Sequence, residues 1–311
     1  MAEGGGEILR YVAGPGDAGR ALRSLLRGQL GVSRTLLTRL KAAQGVLING
    51  RPQWVDYRLQ PGDEVQLFLP ENPSAGFEPE DLPLDLVYED PDLLVVDKPP
   101  GQLVHPVKKE QHGTLANAVA WRWQQQGWRA PVRPLHRLDR DTSGLVLFAR
   151  DPWVYGHLLR QLEGRALERE YRALVLGRVD AEAGEVAAPI APVPGSHILH
   201  GVDPSGRPAL THYVVLQRWP QATLLSLRLQ TGRTHQIRVH MAWLGHPVLG
   251  DRLYGQEPSG GLAQPPRQML HAARLGFRHP RSGATLEFIS PLPSDMLAAL
   301  ATLASPEHLQ G

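Results

Sequence analysis

Two carboxylates, two arginines and a histidine crowd into His136-Arg137-Leu138-Asp139-Arg140-Asp141, and Thr142-Ser143-Gly144 joins them to the apolar run Leu145-Val146-Leu147-Phe148-Ala149. A short apolar run bounded by turn residues reads as a buried strand. Charges packed against the start of such a strand are costly to desolvate unless they are paired. Asp139 has candidate partners on both sides, Arg137 and Arg140. A paired, ionised carboxylate held on a turn beside a buried sheet can serve as nucleophile or base. Taken alone, these residues favour a surface turn whose charges satisfy one another. The rest of the chain shifts that balance.

A second concentration of chemistry is Thr231-Gly232-Arg233-Thr234-His235-Gln236-Ile237-Arg238-Val239-His240. Thr234 is placed to cap a helix whose core side is Ile237, Met241 and Leu244, with Gly245 at its end. Arg238 neighbours that buried side, so its guanidinium needs a carboxylate or phosphate partner. His235 and His240 are five apart, not the four that would align two metal ligands on a helix. No metal site is expected, and the histidines read as hydrogen-bonded core or surface residues. Ser143 lacks a G-x-S-x-G elbow and an evident base, which argues against a serine hydrolase.

The elements that must position these clusters are legible in outline. The 311 residues contain 42% hydrophobic and 21% charged residues, enough for a full core and more comfortable as two domains than one. The absence of cysteine excludes disulfides, thiolate catalysis and cysteine-held metals. No apolar stretch reaches membrane-spanning length, and Met1 to Gly6 reads as a flexible tail without the features of a signal peptide, so a cytoplasmic protein is expected. Net charge is only +2. Its distribution says more, because Arg20, Arg23, Arg27, Arg34, Arg39, Lys41, Arg51 and Arg58 are opposed between residues 20 and 58 only by Asp56. Such a field suits a phosphate backbone.

Residues 7–70 read as a small module. Ser33 caps a helix from Arg34 to Gln44 with Gly45 to stop it; Leu36, Leu37, Leu40 and Ala43 are its apolar side, and Arg34, Thr38 and Lys41 face solvent. Val46-Leu47-Ile48, the turn pair Asn49-Gly50, and a strand with Val65, Leu67 and Leu69 alternating complete it. Gly14 to Gly19 fits G-x-G-x-x-G, but no second parallel strand ending in an acid follows, so a dinucleotide site is rejected in favour of a loop. Residues 71–84 read as a linker, 85–300 as the larger domain, and 301–311 as a C-terminal tail. In the larger domain, strands are expected at 86–88, 93–96, 145–149, 171–176, 212–216, 224–229 and 286–289, and helices at 116–126, 153–162 and 234–244. Strands outnumber helices without regular alternation, which predicts a mixed, mainly antiparallel α+β fold.

The module from Ser33-Arg34 through Val46-Leu47-Ile48-Asn49-Gly50 to Pro61-Gly62-Asp63-Glu64-Val65 resembles an S4 RNA-binding domain. That resemblance implies RNA contacts from Arg34, Arg39, Lys41 and Arg51. The two chemical clusters, in their sequence order, resemble the RluA-type RNA pseudouridine synthases. Further matches are Asp92 to Gly101 with His105-Pro106, Arg169-Glu170-Tyr171-Arg172-Ala173, Gly206 to Thr211, Gly245 to Asp251, and Leu270-His271-Ala272. The resemblance implies Asp139 as the catalytic aspartate, Arg238 as its salt-bridge partner, Tyr171 packed on the target base, and Arg137 inserted where that base leaves the RNA. Tyr171 as a plain core residue and Arg137 as a partner of Asp141 stay open. Arg169 stands where lysine is frequent in the family, and Leu162 where an aromatic is.

The implied reaction breaks the N1–C1′ bond of a uridine, turns the uracil and rejoins it through C5. No cofactor or nucleotide is expected. Asp139 would attack C1′ or remove the C2′ proton, and both routes need an ionised carboxylate. Large-subunit ribosomal RNA is the expected substrate and a monomer the expected state. Transfer RNA is the alternative, followed by a non-catalytic RNA-binding assembly factor and, in a different class, an oxidoreductase using the Gly14-to-Gly19 loop.

Overall fold

The apolar run after the charged turn becomes the most deeply buried strand of a ten-stranded sheet. The computed structural model describes residues 5–70, 76–128, 131–255 and 264–305. Strands β1 (Gly5–Val12), β2 (Val46–Ile48), β3 (Arg51–Pro52) and β4 (Glu64–Pro70) form a separate antiparallel sheet in the order β1-β4-β2-β3. Beside it lie the short α1 (Leu22–Ser24), a π turn at Leu25–Gln29, and α2 (Arg34–Ala42). Ser33 caps α2, its Oγ accepting from the Leu36 N–H at 3.1 Å. Asn49 and Gly50 both take positive φ, the conformation that a two-residue hairpin needs to follow strand twist.

Two local expectations change. The helix ends at Ala42 with Ala43 as its C-cap and Gln44 at φ 50°, and Ala43 is exposed. Gly45 is needed for another reason: a Cβ there would lie 1.8 Å from the Phe68 carbonyl oxygen. Gly5 and Gly6, expected in a flexible tail, instead open β1. Residues 1–4, 71–75 of the expected linker and 306–311 of the expected C-terminal tail lie outside the described residues. The Gly14-to-Gly19 segment is a loop containing a 3-10 turn after β1, and β1 pairs antiparallel with β4, so no βαβ unit exists for a dinucleotide.

The large sheet contains β5 (Asp85–Glu89), β6 (Leu93–Lys98), β7 (Arg133–Pro134), β8 (Ser143–Ala149), β9 (Glu168–Leu176) and β10 (Ala183–Ala187). After the hairpin β11 (Ile190–Pro192) and β12 (His200–Val202) come β13 (Leu210–Arg218), β14 (Ala222–Leu229), β15 (Leu270–Arg278) and β16 (Thr285–Ile289). The main path runs β10-β13-β14-β9-β15-β8-β6-β5, with β7 on β8 and β16 on β15. The pairing is antiparallel apart from β15 against β8. The α+β expectation holds. The remaining helices are α3 (Leu115–Gln125), α4 (Pro152–Glu163), α5 (Gln236–Trp243) and α6 (Ser294–Leu303). Strands β10 to β12 and helix α6, which continues to a buried Leu303 inside the expected tail, were not evident as patterns in the sequence.

Because side chains alternate across a strand, β6 and β8 feed two cores. Leu93, Val95, Leu145 and Leu147 face a core shared with α4 and the N-terminal sheet, including Leu9, Leu26 and Leu67. Leu94, Val96, Val146 and Phe148 face the other side, with α3, Tyr171, Ile237 and Met241. Gly144 allows the parallel approach of β15: at φ 111° its Cβ would sit 2.3 Å from the Ala272 carbonyl oxygen. This close approach sets the turn that precedes β8 against β15.

Candidate active site

The turn carrying Asp139 enters β8 under restraint from both sides. Lys98, fully buried at the end of β6, donates to the carbonyls of Pro99, Gln102 and Arg140, each at 2.8 Å. These bonds use all three N–H groups of the ammonium. Burial pushes Lys98 down to about 7, opposed by the charges of Asp141 and Asp139. On the other side, Arg267 Nη1 donates to the Asp141 carbonyl at 2.9 Å while its Nε and Nη2 grip Asp295 at 2.6 and 2.8 Å.

Arg238, 4% exposed on α5, meets this turn from across the fold. Its Nη1 donates to Asp139 Oδ2 at 3.0 Å. Its Nε and Nη2 bind the two oxygens of Asp251 at 2.7 and 2.8 Å. Asp251 Oδ1 also accepts from the Leu253 and Tyr254 amides at 2.9 and 3.1 Å. Burial raises the Asp251 pKa, but Arg238 and these amides outweigh it and hold the carboxyl below its ordinary value. The guanidinium also lies 5.1 Å from the centre of the Tyr254 ring, within cation–π range. Asp251 is thus saturated, whereas Asp139 gives one oxygen to Arg238 and keeps Oδ1 for something else. Asp139 is 27% exposed at the side chain and Asp251 0%.

Two cavities share Asp139 as a lining residue. The larger, about 620 Å³, is lined by His105, Arg137, Asp139, His197, His235 and Arg238 among others. The smaller, about 60 Å³, is a slot between Asp139, Tyr171, Leu229, His235 and Leu270. Tyr171 is 4% exposed and burial raises its pKa, so it presents a neutral ring to the slot. Arg137 is exposed, lines both cavities, and makes no ion pair among the described residues, Asp141 included.

A carboxylate with one oxygen bound by a buried arginine, beside a tyrosine-walled slot, is assembled from three distant segments. Residues 92–243 match a family model described as RNA pseudouridylate synthase. An uncharacterized RNA pseudouridine synthase of Bacillus subtilis is 39% identical over 87% of this chain and 89% of its own. The chain belongs to the RluA-type RNA pseudouridine synthases. The ribosomal large subunit pseudouridine synthase D of Escherichia coli is 38% identical to this synthase, over 84% of this chain and 83% of its own. Among solved structures, human RNA pseudouridylate synthase domain containing 1 is similar, with a TM-score of 0.56 and 27% identity over 73% of this chain and 97% of its own. The enzyme is therefore an RNA pseudouridine synthase, an isomerase, and no helix among its described residues is long and apolar enough to cross a membrane.

Several sequence expectations about this synthase change. Arg140, an expected partner of Asp139, pairs with Glu110 at 2.6 Å. Helix α5 is capped not by Thr234 but by His235, at φ 56°, while Gln236 Oε1 accepts from Arg233 N at 3.0 Å and Thr231 Oγ1 at 2.8 Å. Ser143 does have a histidine, with His271 Nδ1 at 2.9 Å from its Oγ, but both are buried to 2% or less and no substrate reaches them. His240 is a core histidine, bonded to Thr211 Oγ1 and the Ala188 carbonyl at 2.9 Å each. Asp90, Asp92 and His279 lie within ligand range of one another. Arg281 already occupies Asp92 at 2.8 Å, and His279 Nδ1 accepts the Arg281 and Ser282 amides; its Nε2 lies 2.9 Å from Asp90 Oδ2 without the geometry of a hydrogen bond. Asp251, Lys98, Arg267, His235 and Tyr254 carry structural weight at the site that the sequence reading did not assign. The buried position of Arg238 was the available signal for Asp251, since one guanidinium can hold two carboxylates.

Proposed function

We propose that this synthase isomerises uridines of large-subunit ribosomal RNA, with Asp139 as the reacting carboxylate. The observation that carries the role of Asp139 is its half-satisfied state: Oδ2 is fixed by Arg238, Oδ1 has no hydrogen bond among the described residues, and the residue lines the Tyr171 slot. The ribosomal substrate is supported by the names of relatives such as ribosomal large subunit pseudouridine synthase D of Pasteurella multocida, 39% identical over 80% of this chain and 79% of its own.

On this reading, Asp139 either attacks C1′ as uracil departs with the N1–C1′ electron pair, or takes the C2′ proton to leave a glycal. The uracil stays in the slot against Tyr171, turns and bonds to C1′ through C5, which expels the Asp139 carboxylate from C1′ or, in the glycal route, is accompanied by return of the C2′ proton from Asp139; the C5 proton is lost, N1 gains one, and the sum is an isomerisation. Arg238 keeps the carboxylate oriented. The target must first leave its stack, at a cost of a few kcal/mol, and Arg137 at the mouth of the slot fills the space it vacates. Residues 7–70 act as an S4-like RNA-binding domain. Arg34, Arg39, Lys41 and Arg51 are all exposed there and form no ion pair among the described residues, leaving them open to phosphate.

Pseudouridine mapping by carbodiimide labelling and primer extension, in cells with and without the gene, tests the substrate. Loss of sites confined to large-subunit ribosomal RNA is expected. Loss confined to transfer RNA would move the substrate to that class and leave the chemistry standing.

A further inference from the structure

His235 is the residue at the site for which neither the salt bridge nor the base slot has a use. Its ring is 14% exposed, its Nε2 lies 4.0 Å from Asp139 Oδ1, and it lines both cavities. The residue holds an αL conformation at φ 56°, which carries a strain cost and is concentrated at functional sites.

The other ring nitrogen fixes its tautomer. Tyr254 Oη lies 2.8 Å from His235 Nδ1 and accepts the His200 backbone N–H at 3.0 Å. With a backbone donor already on that oxygen, the phenol hydrogen is free to go to Nδ1, and the ring proton then sits on Nε2, on the Asp139 side. Burial lowers the pKa of His235, against the pull of Asp139, so the ring is neutral and this is its single N–H. The site therefore holds a donor, Nε2–H, and an acceptor, Asp139 Oδ1, 4.0 Å apart. That gap is too long for a bond between them. It matches one bridging hydroxyl: an oxygen making two hydrogen bonds of about 2.8 Å at roughly 90–110° holds its partners about 4.0–4.6 Å apart.

We propose that His235 Nε2–H and Asp139 Oδ1 together seat the 2′-hydroxyl of the target ribose, His235 donating to its oxygen and Asp139 accepting its hydrogen. The proposal rests on Asp139 being the carboxylate that meets the ribose, and on its attack at C1′ rather than removal of the C2′ proton, which lies on the opposite face. An attack on C1′ opposite the base comes from the face that carries the 2′-hydroxyl, so the group beside the attacking oxygen meets that hydroxyl. Hydrogen bonds at the 2-position of a sugar strengthen as its anomeric carbon gains positive charge. A 2′-hydroxyl seat also distinguishes RNA from DNA at the reacting nucleotide. His235 is then a catalytic residue with a specificity role, and Tyr254 a positioning residue that fixes its tautomer.

The test is a two-by-two comparison under single turnover: wild-type and His235→Ala enzyme, each on an RNA carrying uridine or 2′-deoxyuridine at the target position. Wild type is expected to lose about 10²-fold on removal of the hydroxyl, and His235→Ala about as much on the ribose substrate. The two losses should overlap, so the variant's preference for ribose falls at least about 10-fold below wild type, the remainder being the bond to Asp139. His235→Asn, which keeps an N–H donor, should recover part of the preference. A variant that keeps the wild-type ribose preference, or a wild type with none, overturns the proposal. Where the deoxy substrate turns over too slowly to time, the same ratio read from dissociation constants decides. Asp139→Asn on the ribose substrate is the separate arm: turnover there would sink the reading of Asp139 without altering what the preference ratio reports.

Discussion

Two arginines in this enzyme each hold two aspartates, and the difference between them separates a joint from the proposed reactive centre. Arg281 sits where the N-terminal sheet meets the large sheet. Its Nε grips Asp92 at 2.8 and 2.9 Å, its Nη2 reaches Asp151 at 3.1 Å, and its remaining donors take the Ile8 carbonyl at 3.2 and 3.3 Å. Its guanidinium also lies 5.0 Å from the Trp153 ring centre. Asp151 in turn caps α4 through the Trp153 and Val154 amides at 2.7 and 2.8 Å. Both carboxylates are engaged and largely buried. Around Arg238 only Asp251 is treated that way, and Asp139 is left with an open oxygen over a cavity. The same ion types do structural work when saturated and become available for chemistry when one acceptor is left free.

Breaking the reactive centre gives the largest expected effect. Asp139→Asn keeps the shape and an acceptor for Arg238 but removes the charge. Turnover should fall at least roughly 10³-fold, with RNA affinity and melting temperature close to wild type. Single-turnover kinetics and RNA binding on the same preparation check this; conversion within tenfold of wild type would refute it. Arg281→Met should do the reverse. It strands Asp92 and Asp151, whose side chains are 9% and 6% exposed, without their cation. Removing one partner of a buried pair costs roughly 3–5 kcal/mol; Arg281 is itself 39% exposed, so about 2–3 kcal/mol is expected. Burial raises the Asp151 carboxyl above its ordinary value and Arg281 opposes that, so the deficit is full at pH 7 and shrinks as falling pH protonates Asp151. Denaturant melts at pH 7 and pH 4 measure it, and a deficit that grew at pH 4 would contradict the account.

How much of this contrast could be read in the sequence depends on distance along the chain. Asp139, Tyr171 and Arg238 are found through motif order, and Ser33 and Asn49-Gly50 through local rules of capping and turns, which act over a few residues. The reading failed where a partner is chosen by tertiary packing. Arg140 is adjacent to Asp139 yet turns to Glu110, because the adjacent side chain on a tight turn points elsewhere. Asp251 looks like the end of a loop motif until the fold places it under Arg238. Thr234 obeys the capping preference, but Gln236 satisfies the amide of Arg233 and His235 takes the cap in αL. Strand β15 is mostly buried on both faces, so its sequence lacks the alternation that reveals a half-exposed strand.

His136, at the start of the turn that carries Asp139, is a third case, with no hydrogen-bond partner among the described residues. It is 8% exposed and neither ring nitrogen has a hydrogen bond among the described residues. Burial, with a smaller contribution from Arg169, pushes its pKa down to about 3. The unfolded chain takes up that proton near pH 6.5 while the folded one does not, so stability is full above about 6.5 and is lost as the pH falls toward 3. His136→Phe keeps the apolar volume and removes the proton. Its melting temperature should drop less than wild type between pH 7 and pH 5.5, by about 2–4 °C. Parallel curves for the two proteins would show that His136 is already hydrated or paired in solution.

The smallest effect is expected where basic residues have no carboxylate at all. Arg34, Arg39, Lys41 and Arg51 are exposed and unpaired among the described residues, in contrast to Arg238 and Arg281, whose charge is spent inside the protein. A cation left open to solvent gains little from the fold and much from a phosphate, since each contact releases a counterion from the RNA. Lys41→Ala should therefore weaken RNA binding only several-fold at about 0.15 M salt, and reduce the slope of log affinity against log salt by about 0.7–1. If each meets a separate phosphate, removing the four charges together should lower that slope by about 3–4, near the sum of the single changes. Binding isotherms across a salt series measure both quantities. A slope that does not move would take these residues off the RNA and return the basic surface to the role of a solvated helix face.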